Sequence, residues 1–163
     1  MDHQHYCAVS LQWTGNNGSG TTAYTAYERS HTIAATSKPD LLCSSDAAFR
    51  GDEKKYNPEE LLVDSLSSCH MLWYLHLCME AGVVVTAYTD DAKGTLVVTA
   101  DGGGHFTEVT LNRVVTITDK TMEEKEKALH SQANHLCFIA RSCNFPVHHV
   151  ATIQINDSQS TQN

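Results

Sequence analysis

Basic residues are scarce: 11 Lys and Arg stand against 19 Asp and Glu, for a net charge of −8. Nucleic acids and anionic membrane surfaces demand a basic face, so neither is an expected partner. Long apolar runs are missing as well, and none approaches the roughly 20 residues that a bilayer-crossing helix needs. The opening, MDHQHYCAV, has neither the basic start nor the apolar stretch of a secretory signal, so the expected location is cytoplasmic. The cysteines at 7, 43, 69, 78, 137 and 143 include no CxxC pair, which weakens a zinc-ribbon reading. In a reducing compartment they are not a structural disulfide framework; free, catalytic and metal-binding roles remain. Internal repeats and linkers are absent too.

What is present fits a single domain over residues 1–163. With 41% hydrophobic and 18% charged residues, a chain of this size can bury a core and lacks a disordered composition. Residues 6–13 (YCAVSLQW) alternate as a strand does, GNNGSG at 15–20 is a turn, and TTAYTAYERSHTIAA completes a hairpin with a bend or adds a third short strand. Residues 37–56 are polar and irregular and read as a loop. Farther on, VVVTAYTDDAKGTLVVTA and HFTEVTLNRVVTIT are β-branched runs on either side of DGGG, a second hairpin. TMEEKEKALHSQANHLCFIARSC, residues 121–143, reads as a helix with Thr121 and Glu124 as a capping box and EEKEK as a solvated face. Its inner face carries Ala133, Leu136, Cys137 and Ala140. VHHVATIQI is a closing strand, and 157–163 a frayed tail. Hairpins separated by helices indicate an α+β fold, with helices packed on antiparallel sheet.

Between the hairpins lies NPEELLVDSLSSCHMLWYLHLC, residues 57–78. Asn57 is a good N-cap, Pro58 suits the first turn, and Glu59 and Glu60 complement the helix dipole. Leu62, Leu66, Cys69, Trp73, His76 and Leu77 recur at helical steps and define the expected buried stripe; Gly82 ends the helix. By the same geometry His70 points away from that stripe as a structural residue, and His76 becomes a polar core group. Cys69 in this setting is a small core residue, a nucleophile or a metal ligand. Cys137 shares its character: mid-helix, on an apolar face, in the other segment long enough to pack beside the first. Two such helices must cross, so these thiols are either core filler or a redox pair; bonding needs Cα atoms within about 7 Å.

The wording of several segments goes further. NPEELLVDSLSSCHMLWYLHLC, VVVTAYTDDAKGTL, ANHLCFIARSCNFPV, AYERSHTI and DAAFRGD together resemble the OsmC/Ohr family, the osmotically inducible and organic-hydroperoxide-resistance proteins, over nearly the whole chain. The resemblance implies an OsmC-like fold with a long central helix, an intertwined homodimer with two interface sites, and a thiol-dependent peroxidase without a cofactor. By position, Cys69 matches the family's peroxidatic cysteine, Cys137 its resolving cysteine, and Glu59 the acid that orients an arginine. Arg29, in YERSH, fits that arginine best, with Arg50, in AFRGD, as runner-up. Where many relatives have Cys-Pro at the second cysteine, this chain has Cys137-Phe138 and a further thiol at Cys143.

The chemistry explains why such residues are needed. An ordinary thiol, with pKa about 8.5, is mostly protonated at neutral pH, and burial raises the value further. An arginine can offset both effects, and its fork can hold a thiolate and a peroxide oxygen together. Glu59 stands ten residues before Cys69, about 15 Å along a straight helix, so it acts through an arginine or in the partner subunit's site. The expected partners are an organic hydroperoxide and an external dithiol. Two other readings stand beside this one: a non-catalytic ligand-binding or structural dimer, and a zinc-dependent hydrolase using Cys69, His135 and Cys137.

Overall fold

In a computed structural model describing residues 3–156, hairpin, long helix, hairpin, helix and strand follow one another in the expected α+β order. The expected tail, 157–163, lies outside the described residues. The chain divides into two compact units, Met1–Leu61 and Leu62–Asn163.

In the first unit, strand β1 (Ser10–Trp13) pairs antiparallel with β2 (His31–Ala34), and β2 with β3 (Leu41–Cys43). The turn between β1 and β2 is tied by Asn16, whose Oδ1 accepts from the N–H groups of Gly18 and Gly20 at 2.9 and 3.0 Å. Contrary to the expected loop over 37–56, Leu41–Cys43 forms β3 and Ala47–Phe49 a 3₁₀ turn capped by Asp46. Three apolar residues between polar neighbours are too short a run to show a period, yet β2 supplies their backbone partners.

Helix α1 (Pro58–Ala81) starts in the first unit and runs on through the second. Its start is a reciprocal capping box: Glu60 N–H donates to Asn57 Oδ1 at 2.8 Å, and Asn57 N–H to Glu60 Oε2 at 3.1 Å. Its end is a Schellman motif. Gly82, at φ +74°, donates to the Met79 carbonyl at 3.2 Å, and Val83 to that of Cys78 at 2.9 Å.

The second unit carries the four-stranded sheet. Strand β6 (Gly104–Ile117) pairs antiparallel with β4 (Val85–Asp90) and β5 (Lys93–Val98), and parallel with β7 (Val147–Ile155). The register steps from Asp90–Arg113 to Lys93–Thr110, so β4 and β5 are two parts of the expected hairpin arm, interrupted at Asp91 and Ala92. The hairpin closes where expected, with Thr99 N–H donating to the Gly103 carbonyl at 2.8 Å. Gly94 lets α1 approach: a Cβ there would lie 2.6 Å from the Phe106 ring and 3.0 Å from Val63.

Helix α2 (Glu123–Leu136) is shorter than the expected 121–143. A 3₁₀ turn, Lys120–Met122, precedes it, and Asp119 accepts from Thr121 N–H at 2.8 Å, so the Thr121/Glu124 capping box does not form. Cys137 follows the helix as its extended C-cap, rather than sitting mid-helix. The core joins Tyr74, Leu77 and Cys78 of α1 to Val115 and Ile117 of β6 and Ala133 of α2. A second cluster gathers around Leu66, Val109 and Leu111. Full burial stabilises each such large apolar side chain by about 1.5–3 kcal/mol.

Candidate active site

The phase of α1 decides what faces inward. Leu66, His70, Tyr74, Leu77 and Cys78 are its buried residues, one step round from the expected stripe. Apolar residues surround this helix on nearly every side, so sequence period alone does not fix its orientation. Cys69 is consequently half-buried, and Leu72 nearby on the same helix is 64% exposed. His76 is not a core group: it lies at the surface, 3.4 Å from Glu80.

Cys69 and Cys137 come together in the second unit. Burial pushes the Cys137 thiol up to about 11, and hydrogen bonding and charge interaction with the Cys69 sulfur add to the rise. Ala140 N–H points at Cys137 Sγ from 3.4 Å, and Arg141 N–H holds the Cys137 carbonyl at 3.1 Å. One turn beyond Cys69, Trp73 meets Phe138 edge to face, with centroids 5.9 Å apart. A cavity of about 260 Å³ opens among residues on either side of Cys137, with Ala140, Phe145 and Val147 as apolar walls beside Asn134, His135 and Arg141. All six cysteines are free thiols. Cys143 packs with Ala140 and Phe145 against Leu66, Val109 and Leu111, and burial alone raises its pKa.

The other expected site residues lie in the first unit. Arg29 is clamped between the rings of Tyr24 and Tyr27, with Cζ 4.3 and 4.2 Å from their centroids. Its Nη1 donates to the carbonyls of Tyr24 and Tyr27 at 3.0 and 2.7 Å, while Nη2 is buried with no acceptor among the described residues. Arg50 stands off the same Tyr24 ring, at 5.9 Å. Glu59 is half-buried in the first turn of α1 and pairs with neither arginine among the described residues. Arg29 is thus a rigid cation with an unused donor.

A buried polar cluster behind the thiols was not expected. Arg113 is 1% exposed, because β6 turns alternate residues inward and places it between Leu111 and Val115. Its Nη1 contacts His70 Nε2, and reaches His130 Nδ1 at 3.1 Å. A guanidinium only donates, so both ring nitrogens accept, and His130 carries its proton on Nε2. That atom lies 2.9 Å from Glu126 Oε1, off the line of an ideal hydrogen bond. Tyr74 donates to the same oxygen at 2.5 Å, and its ring stacks on His130 at 4.1 Å. Glu126, expected on the solvated EEKEK face, is fully buried. Burial would raise its carboxyl, but the contacts from His130 and Tyr74 outweigh that and hold it below the ordinary value. Burial, with Arg113 nearby, drives His70 down to about 2 and His149 to about 4. The only signal in sequence was the i, i+4 spacing of Glu126 and His130 on α2.

Among the described residues no group of three or more His, Cys, Asp or Glu is placed to hold a metal ion, and His135 is exposed, so the zinc reading finds no ligand set. No helix among them is long and apolar enough to cross a membrane.

A family model described as OsmC-like protein matches residues 51–150. Among solved structures, an OsmC-like protein of unknown function from Vibrio cholerae is similar, with a TM-score of 0.80 and 29% identity, covering 93% of this chain and 100% of that one. An organic hydroperoxide resistance protein from Elizabethkingia anophelis gives a TM-score of 0.64 at 18% identity, covering 94% and 100% of the two chains. An organic hydroperoxide resistance protein OsmC from Legionella pneumophila gives 0.65 at 14%, with 94% and 100% covered. These last two share the fold. No curated protein matches.

Proposed function

Because this chain belongs to the OsmC-like protein family, we propose that it is a thiol-dependent peroxidase that reduces organic hydroperoxides. What supports the reading most directly is the interaction of the Cys69 and Cys137 thiols, which lie near enough for Cys69 to raise the Cys137 pKa. Cys69 is the sulfur that reacts first. It is half-buried, within reach of a substrate, whereas Cys137 is buried and stays protonated at neutral pH.

The Cys69 thiolate attacks the distal oxygen of ROOH and breaks the O–O bond. The departing alkoxide takes a proton and leaves as ROH, and Cys69 becomes a sulfenic acid. Cys137 then attacks that sulfur, forming the S–S bond; the sulfenic hydroxyl leaves as water with the Cys137 proton. An external dithiol exchanges with the disulfide, returning two protein thiols and becoming oxidised itself. Apolar side chains beside the thiols, Trp73 and Phe138 among them, favour an alkyl or acyl R group over hydrogen peroxide.

Arg29 is the cation assigned to the thiolate, and Glu59 is assigned to orient an arginine across a homodimer interface. Two features support this assembly. Glu59 forms no ion pair with an arginine among the described residues, and large apolar side chains such as Leu11, Leu72, Met79 and Phe138 are each at least 64% exposed.

The test mixes the reduced protein with an alkyl hydroperoxide and counts free thiols. Loss of two thiols per chain, abolished in Cys69→Ser, is the expected result. Full retention of thiols would point instead to a non-catalytic member of the fold.

A further inference from the structure

The contacts between α1 and α2 form an ordered, antiparallel series. Ala81 accepts from Lys125 Nζ through its carbonyl at 2.5 Å, Tyr74 meets Glu126, His70 meets His130, and Cys69 meets Cys137. Passing toward the start of α1, each partner lies farther along α2, and the thiol contact is the last of the series. On α2 the buried side chains are Glu126, His130 and Ala133, after which the buried Cys137 caps the helix. The element that delivers the second sulfur is therefore held to α1 by directional polar contacts as well as by the apolar packing of Leu129, Ala133 and Leu136.

That choice has a physical consequence. Apolar helix faces can slide over one another through many packings of similar energy, whereas a directional hydrogen bond has one geometry. Here the Tyr74 hydroxyl and His130 Nε2 converge on one oxygen of Glu126, and Arg113 on β6 fixes the His130 ring from behind. Tyr74 and His130 are also stacked, with rings inclined by only 6°. Translation of α2 along α1 would break all of these contacts together.

We propose that the buried relay Arg113–His130–Glu126–Tyr74 is a positioning device that sets α2 on α1 and so holds Cys137 within bonding reach of Cys69. None of these four residues touches substrate in this account; their effect falls on the step that closes the disulfide. Disulfide geometry tolerates little error, with Cβ atoms about 3.5–4.5 Å apart, and a misplacement of about 1 Å can slow a step by about 100-fold. The inference rests on the peroxidase reading only for its catalytic consequence. The pairing itself can be measured without any peroxide.

The experiment uses the full chain, Tyr74→Phe, which keeps the ring stack and removes only the hydroxyl, and Glu126→Gln, which keeps the shape and one acceptor oxygen. Each is equilibrated in dithiothreitol buffers, and the ratio of Cys69–Cys137 disulfide to dithiol is read by mass spectrometry. The expected result is a fall of about tenfold or more in the equilibrium constant for intramolecular closure in both variants. In a second arm, an alkyl hydroperoxide is added with a sulfenic-acid trap. Cys69 oxidation should stay within about twofold of the parent while trapped sulfenic acid accumulates, because closure alone is slowed. A relay with a merely structural role would lower the melting temperature and leave closure unchanged. Unchanged closure in both variants, or equal slowing of oxidation and closure, overturns the proposal. If the parent protein does not react with hydroperoxide, the peroxidase reading fails while the dithiothreitol arm still decides the positioning role.

Discussion

His70 on α1 and His130 on α2 hold their facing nitrogens 3.2 Å apart, and both accept from the same Arg113 nitrogen. Burial favours the neutral imidazole at His70, and the Arg113 cation beside it acts in the same direction.

Stability should therefore fall on mild acidification. His70 and His149 are held at about 2 and about 4 in the folded chain, against 6.5 in the unfolded one. Above pH 6.5 both states are neutral and the shifts contribute nothing. Below it the unfolded chain binds protons that the folded chain refuses, so each histidine removes up to about 1.4 kcal/mol per pH unit. For His149 that loss runs down to about pH 4, and for His70 lower still. Denaturant midpoints measured from pH 7 to pH 4.5 should decline, and substituting His149 by Gln should flatten the slope. A level profile would show that these rings are not buried and neutral.

Arg29 is the second point of test. It binds two carbonyls and lies between two tyrosine rings, so its orphaned Nη2 is fixed in direction. Arg29→Ala should slow Cys69 oxidation by about 100-fold, the usual scale for removing one preorganised donor from a reaction centre. Arg50→Ala should change it by less than about threefold. Glu59→Ala should slow the reaction and raise the thiol pKa together. Rates indifferent to both Arg29 and Glu59 would leave the thiolate without its proposed activation.

Gly94 makes a prediction about packing alone. A methyl group there meets the Phe106 ring and Val63, so Gly94→Ala should destabilise the protein by about 1–3 kcal/mol in chemical denaturation. Unchanged stability would mean that α1 and β5 are not held at this distance.

How much of this was legible in the sequence depends on how local the signal was. Asn57, Glu60 and Gly82 mark the ends of α1 within a few residues of the groups they satisfy, so the helix could be read directly. DGGG marked its hairpin for the same reason. Glu126 could not be read, because its partner Tyr74 lies 52 positions away and its neighbours in EEKEK are solvated. Arg113 was hidden similarly in NRVVTIT, where only the strand's inward phase reveals a buried charge. The end of α2 carries no glycine or proline at Cys137; instead the Cys137 N–H closes onto Asn134 at 3.3 Å, and the expected helix ran several residues too far. The nomination of Cys69 and Cys137 came from a resemblance of motifs, and periodicity alone left them as either filler or a pair.

The most direct measurement is a cross-link map. The reduced chain is treated with one equivalent of an alkyl hydroperoxide, alkylated, digested and analysed by mass spectrometry. A single new cross-link between the peptides of Cys69 and Cys137, with Cys143 alkylated and Cys143→Ser behaving as the parent does, is the expected result. Over-oxidation of Cys69 without any cross-link, or a bond from Cys69 to Cys143, would contradict the assignment.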